Sequence, residues 1–194
     1  MANNNINAPF GFAPIKYMHG GVYVGSCNKY YKAAGTGAMF VGDPVVRAAD
    51  STDPAGGPMV TTFSSGAITG VIVAVEYTPE LLTQVGYLSS AQAGYVYVCD
   101  DPNMHYEVME GGSGTALAIT NVGECINTVT TAGNTVRGQS QMAIDNAALG
   151  TGGTWRIEKL AKDVGNGVGA YAKWIVSPSL STEVNNSVKN LTDV

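Results

Sequence analysis

The sequence contains few charged residues. Only 13% of its 194 residues are Asp, Glu, Lys or Arg, and the net charge is −5, whereas about a quarter of the residues in a typical soluble domain are charged. Lysine and arginine form no cluster of the kind that phosphate binding needs, so we expect no nucleic acid among the partners. A surface with so few charges is either covered by neutral polar side chains or hidden against other proteins.

Cysteine and histidine are also scarce. Cys27, Cys99 and Cys125 are scattered and form no C-x-x-C pair, which predicts reduced thiols made in a cytoplasm and neither a zinc ribbon nor a redox motif. Cys99 lies in a predicted strand and is expected to be a small core residue. His19 and His105 are the only histidines, and there is no Gly-x-Ser-x-Gly nucleophile elbow. We therefore expect no catalytic residue, and the protein is predicted not to be an enzyme.

Long apolar runs are absent as well. No window approaches the ~20 apolar residues that a membrane helix needs, and the first residues show no basic segment followed by an apolar stretch, so neither a membrane nor the usual export route is expected. Two glycine-rich segments, residues 35–37 and 165–169, lack the strand before and the helix after that a phosphate loop requires. They are predicted to be turns, and no cofactor is expected.

One group of residues has the composition of a metal site: Cys99, Asp100, Asp101, His105 and Glu107. A transition metal needs three or four such ligands that converge on one point. Pro102 and Asn103 interrupt the alternation of the strand, so the group is not expected to share one face. We interpret it as a charged turn beside a strand and predict no metal.

The sequence is rich in β-strand patterns, in which β-branched and aromatic residues alternate with polar ones between turn signals. Residues 67–75, 95–99 and 104–110 are predicted to form an antiparallel β-meander, and residues 78–83 a single helical turn. Further strands are predicted at residues 22–24, 29–32, 38–41, 45–47, 115–119, 135–145, 154–160 and 170–176, and the two that contain tryptophan are expected to pair. The fold is predicted to be mainly β, a small antiparallel β-barrel or sandwich.

This β domain is predicted to span residues 22–178, between an extended N-terminal arm, residues 1–21, and a C-terminal tail, residues 179–194. Proline and glycine exclude a regular helix in the arm. The arm nevertheless carries Phe10, Phe12, Ile15 and Tyr17, and full burial of each stabilises by about 1.5–3 kcal/mol. We predict that these four residues bind a surface, which is either the chain's own domain or a neighbouring subunit.

Several short motifs occur in a fixed order. Residues 7–15 (NAPFGFAPI) are followed by Tyr30 and Tyr31, by residues 38–45 (AMFVGDPV), 70–77 (GVIVAVEY) and 97–103 (YVCDDPN), and then by residues 137–140 (RGQS). Over residues 7–176 this series resembles the small virion structural proteins of tailed bacteriophages. Ala8 and Ala74 depart from the pattern, which usually has Asn and a second strand Gly at these places.

The resemblance implies a capsid decoration (cement) protein that is made in the host cytoplasm and lies on the capsid surface of the virion. The major capsid protein and neighbouring copies of the chain are its implied partners, and no cofactor is implied. Two alternatives stay open. One is another virion component, such as the base of a head fibre or a neck or tail protein. The other is a module that binds carbohydrate or a host surface through Tyr87, Tyr95, Tyr97 and Trp174.

Overall fold

The structure is a computed structural model that describes residues 5–77, 86–150 and 152–183. These residues form 13 β-strands and one short 3-10 helix, Ile119–Asn121, so the protein is mainly β as predicted. The strands are β1 (Ala13–Tyr17), β2 (Asn28–Lys32), β3 (Met39–Phe40), β4 (Pro44–Arg47), β5 (Val60–Thr62), β6 (Gly70–Val75), β7 (Tyr87–Leu88), β8 (Gly94–Cys99), β9 (Met104–Gly111), β10 (Cys125–Val129), β11 (Ala143–Gly150), β12 (Trp155–Leu160) and β13 (Lys173–Pro178).

Five of the strands form a closed barrel. β9 pairs with β13, β13 with β12, β12 with β10, and β10 with β11, all antiparallel; β11 then returns to β9 through a short parallel pairing. β1 lies antiparallel to the first half of β9, on the same edge that β11 uses further along. The ring of pairings leaves no free edge in the barrel and confirms that alternative of the predicted fold class.

The barrel core contains large aromatic side chains whose polar tips are paired. Trp155 donates from Nε1 to Thr128 Oγ1 at 2.9 Å, and Trp174 donates from Nε1 to Glu110 Oε2 at 3.0 Å. Both tryptophans are fully buried, and their indole N–H groups keep hydrogen bonds inside the core. The strands β12 and β13, which carry them, are paired, as the sequence predicted.

A second sheet has the strand order β2-β8-β6-β4-β5, with every neighbouring pair antiparallel. Its first and last strands meet where the N–H of Tyr31 donates to the carbonyl of Pro58 at 2.9 Å. The small β3–β7 pair contributes Met39 and Leu88 to its core. That core is otherwise mostly valine and isoleucine: Tyr30, Val45, Val60, Ile72, Val75, Val96 and Val98.

The chain passes from the second sheet to the barrel at the Asp-Pro-Asn turn. Asp101 accepts the N–H of Asn103 on Oδ1 at 2.7 Å and the N–H of Met104 on its carbonyl at 3.1 Å. The predicted meander is therefore correct for β6 and β8, which pair, and wrong for β9, which belongs to the barrel. The Asp-Pro-Asn sequence favours a turn, but it does not specify whether the next strand joins the same sheet or another one.

Two predicted strands differ from the structure because side chains hold the backbone in other shapes. Residues 115–119 form no strand, since the N–H of Leu117 donates to the buried carboxylate of Glu110 at 3.1 Å. In the predicted strand 135–145, only the last residues are extended, because Asn134 Oδ1 accepts the N–H groups of Val136 and Arg137 and closes a turn.

The remaining predictions concern short segments. Only Val22 of residues 22–24 makes a bridge, to Lys16 of β1. The first residues of the predicted tail bridge to the segment that precedes β6, since the N–H of Ile68 donates to the carbonyl of Leu180 at 3.1 Å and its carbonyl accepts the N–H of Thr182 at 2.8 Å. The predicted helical turn at residues 78–83 and the rest of the tail, residues 184–194, lie outside the described residues.

Candidate partner-binding surface

The predicted N-terminal arm is largely part of the folded domain. Its residues Ala13–Tyr17 form β1, and residues 18–23 fold back on that strand through bonds from Tyr17 N to Gly21 O at 2.7 Å and from Tyr23 N to Ile15 O at 3.1 Å. The prediction of an extended arm up to residue 21 is therefore wrong from residue 13 onward. Edge pairing with β9 satisfies the backbone of this segment, which a free arm leaves to solvent.

The four predicted partner-binding residues lie in different environments. Phe12 is 1% exposed and stacks on Trp155, with ring centroids 4.2 Å apart, so the prediction that it contacts a partner is wrong. Ile15 and Tyr17 are half-buried in β1, and Tyr17 packs against the barrel core. Phe10 is the residue of the four that lines an open depression on the outside of the barrel. The sequence leaves two surfaces open for these residues, the chain's own domain and a neighbouring subunit. Phe12 packs in its own domain, whereas Phe10 lies on a surface that is open to a partner.

Three of the sequence motifs meet at one buried junction. The N–H of Phe12 donates to the carbonyl of Gly42 at 2.9 Å, and the N–H of Ser140 donates to the carbonyl of Val41 at 2.8 Å. A Cβ atom added at Gly11 would lie 2.5 Å from Ser140 Cβ and 2.6 Å from Gly42 O. Gly11 and Gly42 also have positive φ, +77° and +94°. Only glycine fits both positions, because a side chain meets backbone and the conformation is left-handed.

Asp43, of the same junction, is a buried carboxylate. It is 3% exposed, and its Oδ2 accepts the N–H of Phe40 at 2.9 Å, while Oδ1 has no hydrogen-bond partner among the described residues. Burial raises the pKa of Asp43 to about 6, and the Ser140 side chain and the bond from Phe40 oppose that rise. Residues 9–12, 41–43 and 138–140 of the motifs thus contact one another at this junction. These contacts are intramolecular and stabilise the fold.

An open depression of about 240 Å³ lies on the outside of the barrel, between the N-terminal segment and the loop that joins β12 to β13. Ile6 is 75% exposed and Val164 fully exposed, and both line it together with Phe10 and Met109. Its polar rim consists of Asn5, Asp163, Asn166 and Lys173. Large apolar side chains gathered around one concave surface are typical of sites that bind another protein.

Both walls of this depression are fixed by asparagine side chains. Asn5 donates from Nδ2 to the carbonyls of Gly167 at 2.8 Å and Ala170 at 3.1 Å, which ties the N-terminal segment to the loop. Asn166 donates to the carbonyl of Ala161 at 2.8 Å and accepts the N–H of Lys173 at 2.9 Å. The depression is therefore held in shape without a partner, which reduces the entropy lost on binding.

The charged groups of the rim are paired with each other. Lys173 Nζ lies 2.6 Å from Asp163 Oδ2 and 3.5 Å from Glu107 Oε1, and 5.6 Å from the centre of the Phe10 ring. The hydrogen bond from Lys173 lowers the pKa of Asp163, and the same bond raises the pKa of Lys173. Near neutral pH the rim therefore carries an intact ion pair beside the apolar side chains.

Tyr171 is the only non-glycine residue among the described ones with a positive φ, +62°. It is 41% exposed and stands between the depression and a neighbouring one of about 450 Å³ that Met109 also lines. A left-handed backbone costs about 1–2 kcal/mol for a residue with a Cβ atom. Strain of this kind is concentrated at functional positions.

The sequence reasoning found Phe10 but missed the loop at residues 163–171. Only residues 165–169 of this loop are predicted to be a turn, and no role is predicted for Val164 or Val168. The signal in the sequence was the pair of valines beside and within a segment predicted to be a turn. Exposed apolar side chains are unfavourable in water, so their presence there indicates a surface that a partner covers.

The residues considered as metal ligands serve other purposes. Cys99 is buried in the core, and Asp100 accepts hydrogen bonds from Asn28 and from the hydroxyl of Tyr30, the latter at 2.7 Å. Across residues 5–77, 86–150 and 152–183, no three His, Cys, Asp or Glu side chains come together as a ligand group. The three cysteines are free thiols.

The aromatic residues considered for carbohydrate binding are mostly committed to contacts inside the chain. Trp174 is in the barrel core, Tyr87 stacks on Phe40 at 4.8 Å, and Lys29 lies 4.1 Å over the Tyr95 ring. A sugar needs an aromatic face that is open to solvent. Fewer aromatic rings are therefore available for stacking on a carbohydrate than the sequence indicated.

Comparisons with known proteins identify no relative: no family model, no curated protein and no solved structure matches the chain. Within the part of the chain that the structure describes, no helix has the length and apolarity needed to span a bilayer.

Proposed function

We propose that this chain is a non-enzymatic virion structural protein that binds the outside of a bacteriophage capsid and holds neighbouring major capsid protein subunits together. The proposal joins the resemblance of its motifs to small virion proteins with the surface described above. The observation that carries it is the preformed apolar depression lined by Phe10, Ile6 and Val164.

A cement protein works by burying surface between subunits rather than by chemistry. A stable protein contact buries about 1,200–2,000 Å² in total, with apolar anchors at the centre and polar groups at the rim. The depression has this arrangement, since Ile6 and Val164 are surrounded by Asn5, Asn166 and the Lys173–Asp163 pair. Many copies on one shell then add their individual binding energies through multivalency.

The low charge of the chain is consistent with this role. With 13% charged residues, few charged groups lose their water when the surface is covered, and desolvation of charged groups is one of the costs of such contacts. The same composition in a protein that stays uncovered lowers solubility, because charge is what keeps surfaces apart.

The proposal is tested with capsid shells assembled from the major capsid protein encoded in the same genome. We expect the purified chain to sediment with the shells, and Ile6→Ser with Val164→Ser to weaken that binding at least tenfold, because each removes an exposed apolar contact. Val136→Ser is the matched control, since Val136 is 83% exposed and lies outside the depression. It is expected to bind as the wild type does.

Three results contradict the proposal. One is a wild-type chain that does not bind the shells, and another is a genome that encodes no major capsid protein. The third is a copy number in purified particles of a handful to a few dozen rather than hundreds, which instead supports a neck, tail or fibre component.

A further inference from the structure

A second group of residues lies on the outside of the same barrel, at the opposite end of β9. The register of β1 with β9 places Lys16 beside His105, and the register of β12 with β13 places Arg156 beside Ser177. Tyr106 pairs with Val176, so His105 and Ser177 lie opposite each other one step further along. Because Met104 and Tyr106 point into the core, His105 points outward.

His105 is unusual among the polar residues of this surface. It is 8% exposed, and neither of its ring nitrogens has a hydrogen-bond partner among the described residues. A buried donor or acceptor without a partner costs about 1–3 kcal/mol. Such a group on the outer wall of a barrel indicates that the free protein leaves this surface unsatisfied.

The acidic groups near His105 are already engaged. Glu158 Oε1 lies 2.7 Å from Arg156 Nη2 and accepts the hydroxyl of Ser177 at 2.5 Å. Glu107, two residues further along β9, lies 3.5 Å from Lys173. Glu158 is therefore paired with Arg156, and Glu107 shares Lys173 with Asp163.

Two lysines on either side of His105 have no such partner. Lys16 on β1 and Lys159 on β12 both act electrostatically on the ring, together with Arg156 and Glu158. Neither lysine forms an ion pair with any carboxylate in the described residues. In a chain with a net charge of −5, this is a local excess of positive charge around a buried imidazole.

We propose that the surface formed by Lys16, His105 and Lys159 binds carboxylate side chains of an acidic protein partner. The inference rests on the proposed function, since the surface lies on the same barrel wall as the apolar depression, and β9 connects the two through His105, Glu107 and Met109. A partner that covers the whole wall meets an apolar end and a basic end.

A protein partner fits the charge better than a nucleic acid does. Binding along a phosphate backbone needs a row of several cations, each neutralising one phosphate. This surface offers two unpaired lysines separated by His105, with Glu158 and Glu107 close by, so a long polyanion meets repulsion on either side. Two or three carboxylates at fixed positions match the two lysines without that repulsion.

His105 makes the contact sensitive to pH. Burial lowers the pKa of His105 below its ordinary value, so the ring is neutral near neutral pH in the free protein. A carboxylate brought near the ring favours the charged imidazolium and raises that pKa. The protonated form then binds more tightly, so affinity increases as the pH falls.

The inference is tested with short poly-L-glutamate as the probe, titrated into the full chain at low ionic strength while the two histidine ring signals are followed by NMR. We expect binding that raises the pKa of His105. Lys16→Glu with Lys159→Glu is expected to weaken binding at least tenfold, because two attractions become repulsions. Arg137→Glu is the matched control, an exposed cation on another turn, and is expected to change the affinity less than twofold.

Thermal unfolding of each variant shows whether it is folded, and Lys16→Gln with Lys159→Gln replaces the double reversal if that variant unfolds. The inference is wrong if the wild type does not bind poly-L-glutamate, if the lysine variants bind as well as the control, or if a DNA oligonucleotide binds more tightly than the peptide. None of these results depends on capsid shells. They therefore leave the capsid proposal, which Ile6→Ser and Val164→Ser test separately, unaffected.

Discussion

The surfaces of the barrel and of the second sheet differ in how completely their side chains are paired, although both are built from β-strands. On the second sheet, polar and aromatic side chains pair with one another: Lys29 with Glu76 at 2.8 Å, and Tyr95 with Asp53 at 2.7 Å. On the barrel, apolar side chains stay exposed around Phe10, and His105 is left without a partner. The surface that does not satisfy itself is the one we expect to bind, because partners replace contacts that the free protein lacks.

The cores differ in a complementary way. The barrel core is built on Phe12, Trp155 and Trp174, which come from distant parts of the chain, while the core of the second sheet is mostly aliphatic. Residues near the N-terminus are thus needed to complete the barrel. The N-terminal segment serves both regions, since Phe12 fills the barrel and Phe10 forms part of its outer wall.

The largest expected effect comes from Phe12→Ala. Loss of a buried aromatic side chain that stacks on Trp155 should lower the free energy of unfolding by about 3–5 kcal/mol. Phe10→Ala, two residues away, should cost less than about 1 kcal/mol because Phe10 is half-buried on the surface. Chemical denaturation of both variants measures the difference. Equal losses of unfolding free energy would contradict the assignment of Phe12 to the core and Phe10 to the surface.

Gly11→Ala is expected to cost about 2–4 kcal/mol, since the new Cβ meets Ser140 and Gly42 O and the backbone is left-handed. Gly35→Ala is the matched control. Gly35 also has a positive φ, +85°, but nothing lies within 4 Å of its added Cβ, so only the conformational cost of about 1–2 kcal/mol applies. Thermal unfolding of the pair isolates the contribution of the junction. A Gly11 variant no less stable than the Gly35 variant would show that the motifs do not pack there as described.

Asp43→Asn tests the buried carboxylate of the junction through pH. The folded-state pKa of about 6 lies above the ordinary value of 3.8, so the folded state binds the proton more tightly and loses stability as the pH rises through this window. Between about pH 4 and pH 8 the wild type should lose about 2 kcal/mol at this site, and the asparagine variant should not. The measurement is the difference in unfolding free energy between the two proteins at each pH. A difference that stays constant with pH would contradict a buried, raised-pKa Asp43.

The smallest expected effect is on the second sheet. Lys29→Gln removes an ion pair whose lysine side chain is 44% exposed, and exposed pairs of this kind contribute little to stability. The variant should also bind capsid shells as the wild type does, because the contacts of Lys29 are intramolecular. Weakened binding to the shells would show that the second sheet also contacts the capsid, which would contradict the difference between the two surfaces.

Much of the strand structure was predictable because it depends on local patterns. The strands around Ile72, Val96 and Trp174 alternate or consist of β-branched residues, and the turns between them have glycine, proline or asparagine at the positions that turns need. The strand at residues 115–119 was not predictable, because the carboxylate of Glu110 holds Leu117 out of a ladder, and local sequence does not show a contact with a buried side chain.

For the candidate site, the positions of Phe10, Phe12, Ile15 and Tyr17 in a segment rich in proline and glycine are enough to predict apolar anchors near the N-terminus. The scarcity of Lys and Arg predicts that nucleic acid is not a partner, and this stays a prediction. The fold is needed to show that Phe12 is buried and Phe10 is open. Two residues apart in a regular strand they would point to the same side, but Gly11 between them has a left-handed backbone, φ +77°, which breaks that alternation. Which of the two is buried depends on Trp155, more than 140 residues away, on which Phe12 stacks. The same is true of Lys16 and His105, which the register of β1 with β9 places side by side, and of Lys159, which acts electrostatically on His105 from β12.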